Sequence, residues 1–342
     1  MDQITFWLPV VWIGVLAVAI ALYIILDGFD LGIGILFPFG NTEEERDQMM
    51  NTIAPFWDGN ETWLILGGGG LWVAFPQAFA IIMPALYVPI ILMLLALVFR
   101  GVAFEFRFVS KPKHHYWDWA FFGGSLVATI SQGFVLGGLI QGIETNGKIF
   151  TGHAFDWFTP FSILCAAGLV VGYALLGACW LVLKTEGPVA ERSRRHALPL
   201  LGGLIAFIIA VSIWTPLQEE HIFHRWFTYP NILFLAPVPV LTAAMAYWCY
   251  RGLKSGEELG PFVATIALFM LSFSGLAISK YPFIVPPAEP GGGLDLWDTA
   301  AVPESQIFML IGVLILLPII LAYTFLSYWS FRGKVKPGEG YH

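Results

Sequence analysis

The stretch Ile53-Ala-Pro-Phe-Trp57-Asp58-Gly-Asn-Glu61-Thr-Trp63 runs straight into Leu64-Ile-Leu-Gly67-Gly-Gly-Gly70-Leu-Trp-Val-Ala74. Two carboxylates therefore open a segment that otherwise reads as membrane-spanning. An ionisable side chain inside a span costs at least ~2.5 kcal/mol on insertion scales, and such residues are kept where they serve a pathway or meet a partner. Asp58 and Glu61 stand three residues apart and share one helix face. Trp63 is turned about 140° from Asp58 at ~100° per residue, toward lipid, a partner protein or a packing neighbour.

The rest of the chain fits the same solvent. Of 342 residues, 57% are hydrophobic and 12% charged, and the mean hydropathy is +0.74. These values place the chain among all-α polytopic membrane proteins rather than water-soluble domains. A net charge of -7 with scattered lysines and arginines argues against nucleic acid as a partner and leaves the lipid bilayer as the surroundings. Cys165, Cys179 and Cys249 fall in apolar runs and give neither a disulfide framework nor a zinc spacing. The opening Met-Asp-Gln-Ile lacks a basic n-region and a cleavage site, so the first apolar run is expected to stay as a span.

Runs of ~20 apolar residues predict nine transmembrane helices, near 6 to 38, 52 to 75, 79 to 104, 119 to 143, 159 to 183, 197 to 216, 232 to 250, 261 to 285 and 307 to 331. They form a single integral-membrane domain, 1 to 342. Residues 1 to 143 read as a first four-helix bundle, 159 to 285 as a second, and 307 to 331 as an extra ninth helix. The first helix is longer than a ~30 Å hydrocarbon core requires at ~1.5 Å per residue, so it must tilt, break or project. Gly28, Gly32 and Gly34 offer sites for a break or for close packing. The connection from Pro286 to Ser305, rich in Pro and Gly, reads as an irregular surface loop.

Fourteen of the seventeen lysines and arginines follow the odd-numbered spans; Lys148, Arg225 and Lys280 lie elsewhere. Positive loops stay in the cytoplasm, which predicts an outer N-terminus and a cytoplasmic C-terminus. In that orientation Asp27 and Asp30 from the first span, Asp58 and Glu61 from the second, and Arg100, Glu105 and Arg107 from the third all fall in the cytoplasmic half. One reading is an inward-facing proton path, since carboxylates at depth exchange protons through water. The other is a structural charge network, the favoured role for Arg100, Glu105 and Arg107. The run Gly67 to Gly70 lacks a following Lys-Ser/Thr and is no phosphate loop. The seven histidines read as lying in loops or the tail, so neither an axial haem ligand, another metal site nor a catalytic residue is apparent in this chain.

Asp27-Gly-Phe-Asp-Leu-Gly32, Trp57-Asp-Gly-Asn-Glu-Thr-Trp63, Ala74-Phe-Pro76 and Arg100-Gly-Val-Ala-Phe-Glu-Phe-Arg107 together resemble subunit II of the cytochrome bd quinol oxidases, including the cyanide-insensitive branch. Ser131-Gln-Gly133, Gly172-Tyr-Ala-Leu-Leu-Gly177, Tyr281-Pro-Phe-Ile-Val-Pro-Pro287 and Tyr328-Trp-Ser-Phe-Arg-Gly-Lys334 extend the resemblance along nearly the whole chain. It implies a haem-free subunit of a terminal oxidase in the bacterial inner membrane. Such an enzyme oxidises quinol, reduces dioxygen to water and builds proton motive force without pumping. Two b haems, one d haem and the quinol-oxidation loop would belong to the partner, subunit I. A small single-helix accessory subunit is a further partner, and some members hold a quinone in subunit II. By motif, Asp58 matches the family's proton-inlet carboxylate and Trp63 the tryptophan beside its oxygen route. Glu61, Asp27 and Asp30 match motif positions without a settled role. The competing reading is an independent proton-coupled transporter, which would need a midplane substrate site built from broken helices in both halves.

Overall fold

The computed structural model describes residues 3–110, 113–288, 292–336 and 338. In chain order it contains α1 (Gln3–Leu36), a 3-10 turn (Phe37–Phe39), α2 (Glu43–Asn51), α3 (Trp57–Ala74), α4 (Pro76–Ala85), α5 (Tyr87–Val109), α6 (His115–Gln141) and α7 (Pro160–Lys184). There follow α8 (Pro188–Gln218), α9 (Glu220–Phe227), α10 (Asn231–Leu235), α11 (Pro237–Ser255), α12 (Leu259–Lys280), β1 (Phe283–Val285), β2 (Leu294–Asp295), α13 (Leu296–Thr299) and α14 (Pro303–Ser330). Among the described residues, eight spans are long and apolar enough to cross a membrane: α1, α5, α6, α7, α8, α10 with α11, α12 and α14. The expected second span folds as α3, 18 residues long, but its Asp58, Asn60, Glu61 and glycines keep it out of that set.

Prolines set the two breaks around α4. Phe75 precedes Pro76 and is forced out of helical geometry, at φ -136° and ψ 63°. Pro89 has no N–H to give the Ala85 carbonyl, and the chain breaks at Leu86, φ -115° and ψ 19°. The helix expected at 79 to 104 is therefore two, α4 and α5, with α5 running on to Val109.

α1 is a single helix of 34 residues. Its glycines admit neighbours instead of breaking it: a Cβ on Gly32 would lie 1.8 Å from the Tyr173 carbonyl oxygen, and one on Gly177 would lie 2.5 Å from the Gly32 carbonyl carbon. α1 and α7 thus cross backbone against backbone, the small-residue packing that membrane helices use where no hydrophobic force draws them together. α7 is the central helix, buried continuously from Gly172 to Val182. α1 packs on α3, α6 and α7; α5 packs on α6; and α7 also packs on α6, α8 and α12, with α11 against α12 and α8.

α14 is different. Gln306 is its one buried residue, fixed by its amide to the Ala74 carbonyl (3.2 Å) and by its carbonyl to the Trp12 indole (3.2 Å). The connection before it is more ordered than expected: β1 and β2 pair antiparallel, and Asp295 caps α13. Residues 289–291 of that connection lie outside the described residues.

Candidate functional site

α1, α3 and α5 bring their charges together around Arg100. Its guanidinium is wholly buried and donates to Asp27 Oδ1 at 2.5 Å and to Glu61 Oε2 at 3.0 Å. The Asp27 side chain is also fully buried, whereas that of Glu61 is 26% exposed. The Trp57 ring lies 5.9 Å from the guanidinium and stacks on Phe104 at 4.8 Å. A charge this deep is tolerable only with close, well-placed partners.

Asp30 sits nearly one helical turn beyond Asp27 and is also fully buried, but it meets no arginine among the described ion pairs. Its Oδ2 accepts from the Asn60 amide at 2.8 Å. Asn60 Nδ2 also reaches the Leu26 carbonyl at 3.3 Å, and Asn60 Oδ1 accepts from the Tyr328 hydroxyl at 2.8 Å. Asp27 Oδ2, Asp30 Oδ1 and Arg100 Nε are buried without a hydrogen-bond partner. One turn before Asp27, the Tyr23 hydroxyl accepts from Gln132 Nε2 (2.7 Å), and Tyr173 donates to Gln132 Oε1 (2.9 Å). Three carboxyl groups, one guanidinium and this neutral hydrogen-bonded fringe make a polar chamber inside apolar helix packing. Orphaned acceptors in such a chamber suit water or exchanging protons.

A second cluster stands nearer the helix ends. Arg107 bridges Asp118 Oδ1 (2.6 Å) and Asp47, and Arg46 reaches Asp118 at 3.4 Å. The Phe37 ring lies 5.3 Å from the Arg107 guanidinium. Glu45 of α2 takes both terminal Arg192 nitrogens, at 2.7 and 3.2 Å. That pairing, helped by the Asn41 backbone N–H, holds its carboxyl below the usual glutamate range. These contacts tie α2 to α5, α6 and α8.

Several expected placements differ. Asp58 is exposed, because α3 begins at Trp57 and leaves Asp58 in its first turn on an outer face. Trp63, by contrast, meets the packing neighbour among its three expected surroundings: it is 1% exposed and packs against Ala19 and Tyr23 of α1. The side of α3 turned away from Asp58 is the side that α1 covers. Arg100, Glu105 and Arg107 do not form one network. Arg100 belongs to the inner chamber and Arg107 to the outer cluster, about two turns apart, while Glu105 is exposed and has no ion pair among those described. His196 lies within α8, which starts at Pro188 rather than at 197, and its ring meets Phe39 at 5.1 Å. His115 opens α6, and His221 and His224 lie in the short α9. Among the described residues, no group of three or more His, Cys, Asp and Glu is arranged to hold a metal ion.

Asn60, Gln132, Tyr23, Tyr173 and Tyr328 are the chamber residues that sequence reasoning misses. Asn60 and Gln132 carry a usable signal, an uncharged polar side chain inside a run that must be buried on some face.

Residues 8–331 match the family model described as cytochrome bd terminal oxidase subunit II. The chain is 30% identical to the cytochrome bd-I ubiquinol oxidase subunit 2 of Escherichia coli, over 94% of this chain and 93% of that one. It is 31% identical to the cytochrome bd ubiquinol oxidase subunit 2 of Bacillus subtilis, over 96% and 97%. It is 30% identical to a probable cytochrome oxidase subunit 2 of Haemophilus influenzae, over 95% and 94%. A solved structure of the bd oxidase from Geobacillus thermodenitrificans shares the fold, with a TM-score of 0.75, 18% identity and coverage of 95% and 98%. Its membrane-length helices, the charges gathered between them and the match along almost its whole length agree: the chain belongs to the cytochrome bd terminal oxidase subunit II family, as a membrane subunit of an oxidoreductase complex.

Proposed function

We propose that this chain is the haem-free subunit of a quinol:dioxygen oxidoreductase of the bacterial inner membrane and carries an inlet through which cytoplasmic protons approach the haems of subunit I. The observation behind this is the Arg100 chamber, in which a partly exposed Glu61 shares one guanidinium with a fully buried Asp27. Subunit I holds two b haems and one d haem, and these supply the redox chemistry. Reduction of dioxygen consumes protons, and taking them from the cytoplasm while quinol releases its own outside builds membrane potential without a pump. Asp58, exposed on this chain, faces the partner at the mouth of the inlet; Glu61, Asp27 and Asp30 lie beyond it. Trp63 stands beside the oxygen route, and a bound quinone and a single-helix accessory subunit complete the assembly.

This reading places the N-terminus outside and the C-terminus in the cytoplasm. It makes α3 the ninth span. α1, α3, α5 and α6 then form one bundle, α7, α8, α11 and α12 the other, and α14 the extra helix.

In the purified complex, Asp58→Asn and Glu61→Gln are expected to lower quinol-driven oxygen consumption and proton uptake by about a hundredfold, the low side of what a lost proton-transfer group removes. The haem spectrum should stay intact. Full turnover with unchanged proton uptake in both variants would return the chamber to a structural role.

A further inference from the structure

The C-terminal segment after α14 is gripped in a way that its own composition does not require. Beyond Ser330, the ammonium of Lys184, whose residue is 5% exposed, donates to the carbonyls of Phe331 (2.5 Å) and Gly333 (2.7 Å). No carboxylate pairs with Lys184 among the described ion pairs. A buried lysine normally needs one, so a lysine committed to two backbone carbonyls is an expensive anchor. The grip continues along the segment. The Val335 N–H donates to the Lys184 carbonyl at 2.9 Å, and the Val335 carbonyl accepts from Gln48 Nε2 of α2 at 2.8 Å. Lys334 reaches Glu258 at 2.7 Å and Glu186 at 3.6 Å. Residues 331 to 336 are thus strapped across the ends of α7, α2 and α12, whereas the middle of α14 is exposed to its surroundings.

What the strap holds down is Tyr328. Its ring stacks on Phe56 at 4.3 Å, with Phe331 edge-on to Phe56 at 6.0 Å and Trp180 edge-on to Tyr328 at 6.2 Å. Its hydroxyl bonds Asn60, which in turn bonds Asp30. From Asp30 toward the end of the helices the order is amide, phenol, aromatic stack and strap. On the other side of the chamber Glu61 is 26% exposed.

We propose that the C-terminal strap, latched by Lys184, seals the chamber on the Asp30 side and leaves the Glu61 side, on the α3 face that carries Asp58, as its one mouth. This rests on the chamber being a proton inlet for its purpose, but not for its geometry. A one-sided opening is what a directed inlet needs, because a second opening would let protons bypass Glu61.

The test uses the intact complex, treated in mildly acidic buffer with a water-soluble carbodiimide and a small amine, and reads label at Asp30 by peptide mass spectrometry. Asp30 should be essentially unlabelled in the unaltered complex. In Lys184→Met its label should rise about tenfold, the change in an open-closed equilibrium expected from losing one charge-assisted anchor. Gln48→Ala removes a strap contact without touching the latch and should give a smaller rise in the same direction; it decides the question if Lys184→Met fails to assemble. Equal Asp30 label in the unaltered complex and the released variants would overturn the proposal, as would ready labelling of Asp30 before release. The label is read independently of turnover. Full activity in both Asp58→Asn and Glu61→Gln would sink the inlet and leave the seal to be judged on its own.

Discussion

Arg100 is one positive group answering two carboxylates in a place where water cannot stand in for any of them. Removing it by Arg100→Leu leaves Asp27 buried and uncompensated, a loss of roughly 3–5 kcal/mol by the usual cost of breaking a buried pair. The purified complex should therefore melt lower or fail to accumulate. Arg100→Lys keeps the charge but loses the planar fork that reaches Asp27 and Glu61 together, and should fall between the two. An Arg100→Leu complex as heat-stable as its parent would show that the pair contributes nothing. The cost of these charges is legible from the sequence, since an arginine and four acids in apolar runs demand an explanation. Their pairing is not. Whether Arg100 meets Asp27 or Asp30 depends on how α1 and α5 are rotated against each other, and whether Asp58 is buried depends on where α3 begins. Arg107 takes Asp47 and Asp118, both of which lie outside the predicted spans.

Among the elements, the α1–α7 crossing sets the distance at which the chamber's walls stand. Gly32→Ala puts a methyl group 1.8 Å from the Tyr173 carbonyl oxygen, an approach that no rotamer change can relieve because both partners are backbone. The helices must part, and Tyr173 with its bond to Gln132 moves with them. Gly32→Ala should thus lower complex yield and melting temperature sharply, while Gly14→Ala, where an added Cβ meets nothing within 4 Å, should be near neutral. The helix α2 offers a different handle. Glu45 is held below the ordinary glutamate value by Arg192, so its contribution is present above ~pH 4.3 and fades as pH falls through the depressed folded value. Melting temperature should drop on acidification below about pH 4, and Glu45→Gln should remove that part of the drop while lowering the neutral-pH value slightly. A parent and variant with parallel pH profiles would exclude the pair as a contributor. Apolar runs and prolines make most helices legible, including the break before Pro76. The glycines of α1 are not, because a kink and a close crossing look alike until Gly177 is seen opposite Gly32.

For the whole molecule, the open question is what covers α3. It is the helix whose own residues fall short of a membrane span, and its outer face carries exposed Asp58, Ile65 and Trp72. Asp58 has no ion pair from this chain among those described, and in lipid a carboxylate at the centre of a helix costs ~2.5–3.5 kcal/mol, falling toward the surface where Asp58 stands. On the proposed reading this face is completed by subunit I, so the chain made alone should hold α3 poorly across the bilayer. Thr62→Cys, on an exposed position of α3, gives the readout with a membrane-impermeant maleimide. The thiol should label readily when the chain is expressed without its partner and be protected in the complex. Asp58→Ala should restore part of that protection to the lone chain by removing the charge that resists insertion. If Thr62→Cys is equally protected with and without subunit I, α3 is held by α1 alone, and its exposed face has no need of a second protein.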